Sequence, residues 1–195
     1  MSERIFIWVA HPRSPSFCAA LADAYQTGAE SRGAVVRRQD LADMVFDRSL
    51  HVDAEDVAPP LEPDLVAFQD NLAWAEHVVV LHPLWWGGMP GIAKTLIDRT
   101  ILPGFAFKYK SRKGGYDKLL AGRTADVMIT SDTPPLIDAL VYHKTARRNL
   151  RNQVLGFCGI KTRRILQFGS VKTSSDAALG RWIDKARRMG ASAAC

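Results

Sequence analysis

Short, densely apolar runs alternate with longer amphipathic stretches along the whole chain. Arg4 to Ala10, Val35 to Asp40, His77 to His82, Thr124 to Thr130 and Arg163 to Phe168 read as strands, the first and third with the continuous apolar character of buried ones. Between them, Phe17 to Arg32 (ending at Gly33), Pro63 to Ala75 and Pro90 to Thr100 carry apolar residues at helical spacing, with Pro63 and Pro90 placed where helices start. A helical region is expected over roughly 137–156, and Ser175 to Met189 forms the last helix. Ala42 to Glu62 and Gly104 to Tyr116 read as surface loops.

Strands separated by helices pair in parallel, because parallel neighbours need a crossover of a dozen or more residues. The pattern therefore predicts an α/β fold with a five-stranded parallel sheet in the order 2-1-3-4-5 and helices on both faces. A dinucleotide fold would show GxGxxG after the first strand, and neither that motif nor GxxxxGK[ST] is present. With no repeat or linker, residues 1–195 are expected to form one domain.

Composition narrows the class only a little. The net charge of +6 divides unevenly: residues 1–104 hold 8 Lys/Arg against 14 Asp/Glu, and residues 105–195 hold 18 against 6. The basic residues are spread over several elements without a nucleic-acid-binding motif, so no nucleic-acid partner is expected. Lys108, Lys110, Arg112 and Lys113 share one glycine-bounded loop suited to a phosphorylated cosubstrate. The apolar run Ile5 to Ala10 is too short for a signal segment, and no stretch reaches membrane-spanning length, so a cytoplasmic protein without membrane insertion is expected. Cys18, Cys158 and Cys195 are odd in number and lack CxxC spacing, and His51, His77, His82 and His143 lack ligand spacing; no disulfide framework and no metal site follow.

In an open α/β sheet the ligand crevice lies beyond the carboxyl ends of the strands, here between the first and third. Three connections occupy that edge. His11-Pro12-Arg13-Ser14-Pro15-Ser16-Phe17 combines hydroxyls, a guanidinium and the start of a helix, which suits a phosphate; Ser14 or Ser16 as a plain helix cap is the competing reading. His82-Pro83-Leu84-Trp85-Trp86-Gly87-Gly88 follows the third strand and suits a flat aromatic ring, held by backbone groups of Trp85, Trp86, Gly87 and Gly88 and shielded by the indoles; the competing reading places both tryptophans in the core. Thr130-Ser131-Asp132-Thr133-Pro134-Pro135 offers hydroxyls and amides to the other side of a ring site, or forms an ordinary turn.

The segments AHPRSPSF, HPLWWGGMPG, LIDRTILPGFAF and TSDTPP, with FCGI beyond, resemble the NAD(P)H:quinone oxidoreductase family of flavodoxin-like flavoproteins over nearly the whole chain. The resemblance implies a flavodoxin-like fold and a bound FMN, with FAD as the alternative. It also implies hydride transfer from NADPH or NADH to a quinone-like acceptor by ping-pong turnover, and a homodimer. Carried onto this chain, His11, Ser16, Phe17 and Cys18 match the flavin phosphate loop. Pro83, Leu84, Trp85, Trp86 and Gly87 match the loop along the isoalloxazine, and Thr130, Ser131 and Asp132 the loop at its pyrimidine end. In the dimer, helix Pro90 to Thr100 and loop Gly104 to Tyr116 are the expected contact elements.

The sequence also departs from the family. Cys18 stands where Asn is common, Ser131-Asp132 where a glycine pair is common, and Pro134 and Leu140 where a Tyr and His assist hydride transfer; no catalytic side chain is assigned, although Tyr142 and His143 lie close by. Two further readings share the fold: reduction of azo or nitro compounds, and a flavin-binding regulator or electron carrier without turnover. A sequence pI near 9.4 argues against a carrier, since dedicated flavodoxins are acidic.

Overall fold

The computed structural model describes residues 2–49, 60–110 and 114–194. His51, Arg112, Lys113 and Cys195 lie outside them.

The elements follow in order as β1 (Arg4–Val9), α1 (Phe17–Glu30), β2 (Val35–Asp40), α2 (Pro63–Trp74), β3 (His77–Pro83), α3 (Gly91–Thr100), β4 (Phe107–Tyr109), β5 (Tyr116–Lys118), β6 (Thr124–Thr130), α4 (Pro135–Leu140), α5 (Thr145–Asn149), α6 (Gly156–Cys158), β7 (Lys161–Phe168) and α7 (Asp176–Ala193). Five strands form one parallel sheet in the order β2-β1-β3-β6-β7. With the small β4–β5 hairpin set aside, this is the expected 2-1-3-4-5 sheet.

Alternation along the central strands divides the core into two layers. Phe6, Trp8, Val78, Val80, Val127 and Ile129 pack with Leu65 and Phe68 of α2 and Leu96 of α3 on one face. Ile5, Ile7, Val9, Val79, Leu81 and Met128 pack with Leu21 and Tyr25 of α1 and Met189 of α7 on the other. Central parallel strands covered on both faces bury nearly every side chain, which is why the middle stretches of β1 and β3 read as apolar runs. The edge strands differ, since β2 and β7 each carry an Arg-Arg pair that discourages further strand addition. Arg37 lies over the Trp74 ring at 4.2 Å, while Arg38 pairs with Asp23 and Asp40.

A polar cluster is buried at the amino-terminal end of the sheet. The Tyr25 hydroxyl donates to Asp126 Oδ2 at 2.9 Å and meets His77 Nε2 at 3.0 Å, while Arg164 donates to Asp126 Oδ1 at 2.9 Å and to Ser192 Oγ at 2.7 Å. Burial pushes the Asp126 carboxyl up, but the hydrogen bonds and charges of His77 and Arg164 prevail and hold it at about 2.

One expectation needs correction: the segment 104–116 contains β4 and the start of its antiparallel partner β5. The region 137–156 is helical as expected, but in pieces: α4 ends at Leu140, His143 and Lys144 take left-handed φ values of 52° and 54°, and α5 runs into a π-helical turn at Leu150–Leu155. In that turn the Gly156 amide donates to the Arg151 carbonyl. A Cβ at Gly156 would stand 2.7 Å from that oxygen, so glycine is what permits the wider winding.

Candidate active site

The loops after β1, β3 and β6 meet at the carboxyl edge of the sheet, where the chain order reverses between β1 and β3. Two clefts open there.

The first, of about 610 Å³, is lined by His11, Pro12, Arg13, Ser14, Pro15, Ser16 and Phe17, with Ala42 and Asp43 opposite. Its loop contains a cis peptide between Ser14 and Pro15. Ser16 caps α1, its Oγ accepting from the Ala19 amide at 3.2 Å, so the cap reading holds for this hydroxyl. Capping leaves other first-turn amides of α1 without helical acceptors, and with Arg13 they make the cleft suitable for an anion. His11 Nδ1 accepts from the Arg13 amide at 3.1 Å, and burial followed by the Arg13 charge lowers the imidazole pKa. Neutral His11 therefore carries its proton on Nε2, as a donor.

Cys18 faces inward rather than lining this cleft: it is fully buried, with Sγ 3.3 Å from Thr130 Oγ1. Burial pushes the thiol up to about 12, so it stays protonated and links α1 to the end of β6.

The second cleft, of about 750 Å³, is lined by Leu84, Trp86 and Gly87 on one side and by Thr133, Asp138, Tyr142, His143, Thr145 and Ala146 on the other. Trp85 and Gly88 close a two-residue hairpin, with Trp85 N donating to Gly88 O at 2.9 Å and Gly88 N to Trp85 O at 3.0 Å. Trp86 and Gly87, at φ 50° and 77°, are its left-handed central residues, the signature of a type I′ turn. The Trp85 and Gly88 amides are thus consumed within the turn, and a ring edge could draw only on those of Trp86 and Gly87. The two indoles also separate: Trp86 is fully exposed over the second cleft, whereas Trp85 lies edge-on to His11 at 5.8 Å with the Arg13 guanidinium 5.8 Å from its centroid. Neither is a core residue. Pro83 is buried at the end of β3, and the Leu84 amide donates to Thr130 O at 2.7 Å, which fixes the loop to the sheet.

Ser131 and Asp132 are turned away from the second cleft. Ser131 Oγ donates to Thr133 O at 2.9 Å and accepts from Gln167 Nε2 at 3.0 Å; Asp132 Oδ1 accepts from the Lys172 amide at 2.9 Å. Both brace the loop after β7. Thr133, between the expected residues and the prolines, takes the place facing the cleft. Two departures from expectation matter chemically. Tyr142 and His143 do enter the cleft lining, and Asp138 lies there buried, its Oδ2 3.3 Å from Arg147 and without a hydrogen bond among the described residues. A buried carboxylate cannot be read from a helix of six residues; an exposed Tyr-His pair just after that helix was the available signal. Lys108 and Lys110 line neither cleft, and Lys110 pairs with Asp117 at 2.8 Å.

Among the described residues, no group of His, Cys, Asp or Glu could hold a metal, and no helix is long and apolar enough to cross a membrane.

The chain is similar to known proteins over most of its length. The chain is 29% identical over 181 residues to an uncharacterised NAD(P)H oxidoreductase of Haemophilus influenzae, covering 91% of this chain and 89% of that one. It is 31% identical over 135 residues to NAD(P)H dehydrogenase [quinone] 1 of Rattus norvegicus, covering 60% of this chain and 48%, about half, of the rat protein. A crystal structure from Streptococcus mutans superposes with a TM-score of 0.83 at 27% identity, covering 97% of this chain and 99% of that one. The profile of the flavodoxin-like fold family matches residues 3–189, and the chain belongs to that family.

Proposed function

We propose that this oxidoreductase is a cytoplasmic, FMN-dependent enzyme that takes hydride from NADPH or NADH and delivers it to a quinone-like acceptor. The observation that carries the reading is the pairing of an anion-binding cleft with a ring-sized cleft at the switch point of the sheet. The donor set fits a flavin mononucleotide: cationic and amide donors at one end, and an exposed indole with two uncommitted amides at the other.

In this reading Arg13, His11, Ser14 and the start of α1 hold the phosphate, with Ser16 and Phe17 shaping the loop. Leu84, Trp86, Gly87 and Thr133 hold the ring, while Trp85, Pro83, Cys18, Thr130, Ser131, Asp132 and Gly88 keep the loops in place. A flavin held there would supply two-electron chemistry between a pyridine nucleotide and an acceptor. The Trp86 indole, exposed at the mouth of the cleft, is placed to pack against a bound ring. Quinone reduction consumes one hydride and one proton, and Tyr142 and His143 are the groups in the cleft able to hold a proton at the acceptor oxygen. Donor and acceptor share this cleft, so the first product leaves before the acceptor enters, which is ping-pong turnover.

Trp86, Leu136, Leu140, Val141 and Tyr142 form an exposed apolar rim beside the ring cleft, while α3 shows the polar pair Lys94 and Asp98 to solvent. A homodimer whose second copy covers that rim completes the proposal, with α4 rather than α3 as the main contact. A molar mass that stays monomeric across a wide concentration range counts against it.

The test is to load purified protein with FMN or FAD, desalt it, and add NADPH anaerobically. Retained flavin that bleaches within seconds and reoxidises with a benzoquinone supports the reading; folded protein that keeps neither flavin overturns it. Retained FAD alone would replace FMN, and faster reoxidation by azo or nitro compounds would change the acceptor class.

A further inference from the structure

Beyond the ring cleft, a second concave surface runs along the opposite side of α5. It is a groove of about 270 Å³ lined by Lys144, Arg147, Arg148, Arg151, Asn152, Thr162, Arg163 and Ile165. Between Asp138 and Asp176 the chain holds eight Lys/Arg and no Asp/Glu, so no carboxylate of this segment neutralises the groove.

Its cations differ in how they are engaged. Arg147 is committed, donating to Gln167 Oε1 at 2.6 Å and lying 3.3 Å from Asp138. The exposed side chains of Lys144, Arg148 and Arg151 have no hydrogen-bond or ion-pair partner among the described residues. Arg163 stands at a register shift in β7, where Ala125 pairs with Thr162 and Asp126 with Arg164, and its guanidinium makes one long hydrogen bond to Ser192 O at 3.5 Å. Thr162 adds an independent sign, because its Oγ1 is buried without a hydrogen-bond partner among the described residues. Mutually repelling charges beside an unsatisfied hydroxyl make a site that a small anion would complete.

Position identifies the anion. His143 and Lys144 form one left-handed turn, His143 on the ring cleft and Lys144 on the groove, while Arg147 touches Asp138 in one and lines the other. From Lys144 through α5 to Asn152 in the π-helical turn, the groove follows the chain for roughly 10 Å. That reach suits the far phosphate of a dinucleotide whose nicotinamide lies in the ring cleft.

We propose that this groove binds the 2′-phosphate of the pyridine nucleotide and makes NADPH the preferred donor; the assignment rests on the ring-cleft reading above. Lys144, Arg148, Arg151 and Arg163 supply the charge, replacing the loop carrying Lys108 and Lys110 as the phosphate selector.

The experiment is calorimetric titration of the flavin-loaded protein with 2′,5′-ADP and with 5′-AMP, for wild type, Arg148→Ala/Arg151→Ala, and Lys94→Ala as a remote control. Each lost arginine contact to phosphate is expected to weaken binding about tenfold. Wild type and the control should prefer 2′,5′-ADP, and the double variant should lose that preference. Its KM for NADPH should rise at least tenfold, with KM for NADH and kcat within about twofold of wild type. Equal binding of the two nucleotides, or a preference surviving in the folded double variant, overturns the proposal. Tighter binding of a 20-nucleotide RNA, equally sensitive to the two arginines, also overturns it, in favour of a polyanion surface. If 2′,5′-ADP binds as expected but NADPH leaves the flavin oxidised, the groove stands and the hydride-transfer reading fails.

Discussion

Gly28 of α1 and Gly190 of α7 sit where the two helices cross, each at a point where the other's backbone excludes a side chain. A Cβ at Gly28 would lie 1.9 Å from the Arg187 carbonyl oxygen, and one at Gly190 2.0 Å from the Tyr25 carbonyl oxygen. Backbone cannot yield as a flexible side chain can, so an added methyl must push the helices apart. Gly28→Ala and Gly190→Ala should each cost about 3 kcal/mol in urea unfolding. Gly180→Ala, on an exposed part of α7 with nothing within 4 Å, should instead stabilise by up to about 1 kcal/mol. A neutral Gly190→Ala would show that the helices slide freely.

The turn under the ring cleft separates stability from function. Trp86 bears a left-handed conformation that costs an L-residue roughly 1 kcal/mol. Trp86→Gly should therefore be at least as stable as wild type in thermal melts, yet release FMN at least tenfold faster. Gly87→Ala should do the reverse, losing about 1 kcal/mol with the indole intact. Unchanged FMN release from Trp86→Gly would remove the indole from the cofactor site.

Two carboxylates should act differently on the flavin. Asp138 lines the ring cleft, where its charge opposes reduction, whereas Asp132 is spent on the Lys172 amide. Redox titration should find a higher midpoint potential for Asp138→Asn and an unchanged one for Asp132→Ala; the opposite pattern would exchange their roles.

Acid should unfold the protein through two successive windows. Burial lowers fully buried His82 from its usual 6.5 to about 4, so between those values the unfolded chain binds the extra proton and stability falls as pH falls. Asp126, depressed from 3.8 to about 2, adds a second loss over that lower interval, because its stabilisation is complete above 3.8 and gone below 2. Each window has a limiting slope of about 1.4 kcal/mol per pH unit. Denaturant melts from pH 7 to pH 2 should show the upper slope flattened in His82→Gln and the lower one in Asp126→Asn; an unaltered upper slope would place the titration elsewhere.

The sheet was readable because β1 and β3 are apolar on both faces, a pattern that few folds besides a covered parallel sheet can use. The β4–β5 hairpin was not, since strands of three residues carry no period. His143 and Lys144 are neither Gly nor Asn, so the left-handed turn that divides the helical region left no mark in the sequence. In the site, the three loops were placed by topology, but the partners of their polar groups were not. Lys172 stands 40 residues from Asp132 and Thr130 stands 112 from Cys18, and only the assembled sheet brings them together.

Tyr25, His77, Asp126 and Arg164 lie at the opposite end of the strands from the clefts. That end behaves as a keystone, each member held by a hydrogen bond or charge from another. The other end is freed by it, since loops anchored on a locked base can trade one substrate for another without risking the fold. Descendants of this chain should accordingly diverge in what they reduce long before they diverge at Asp126.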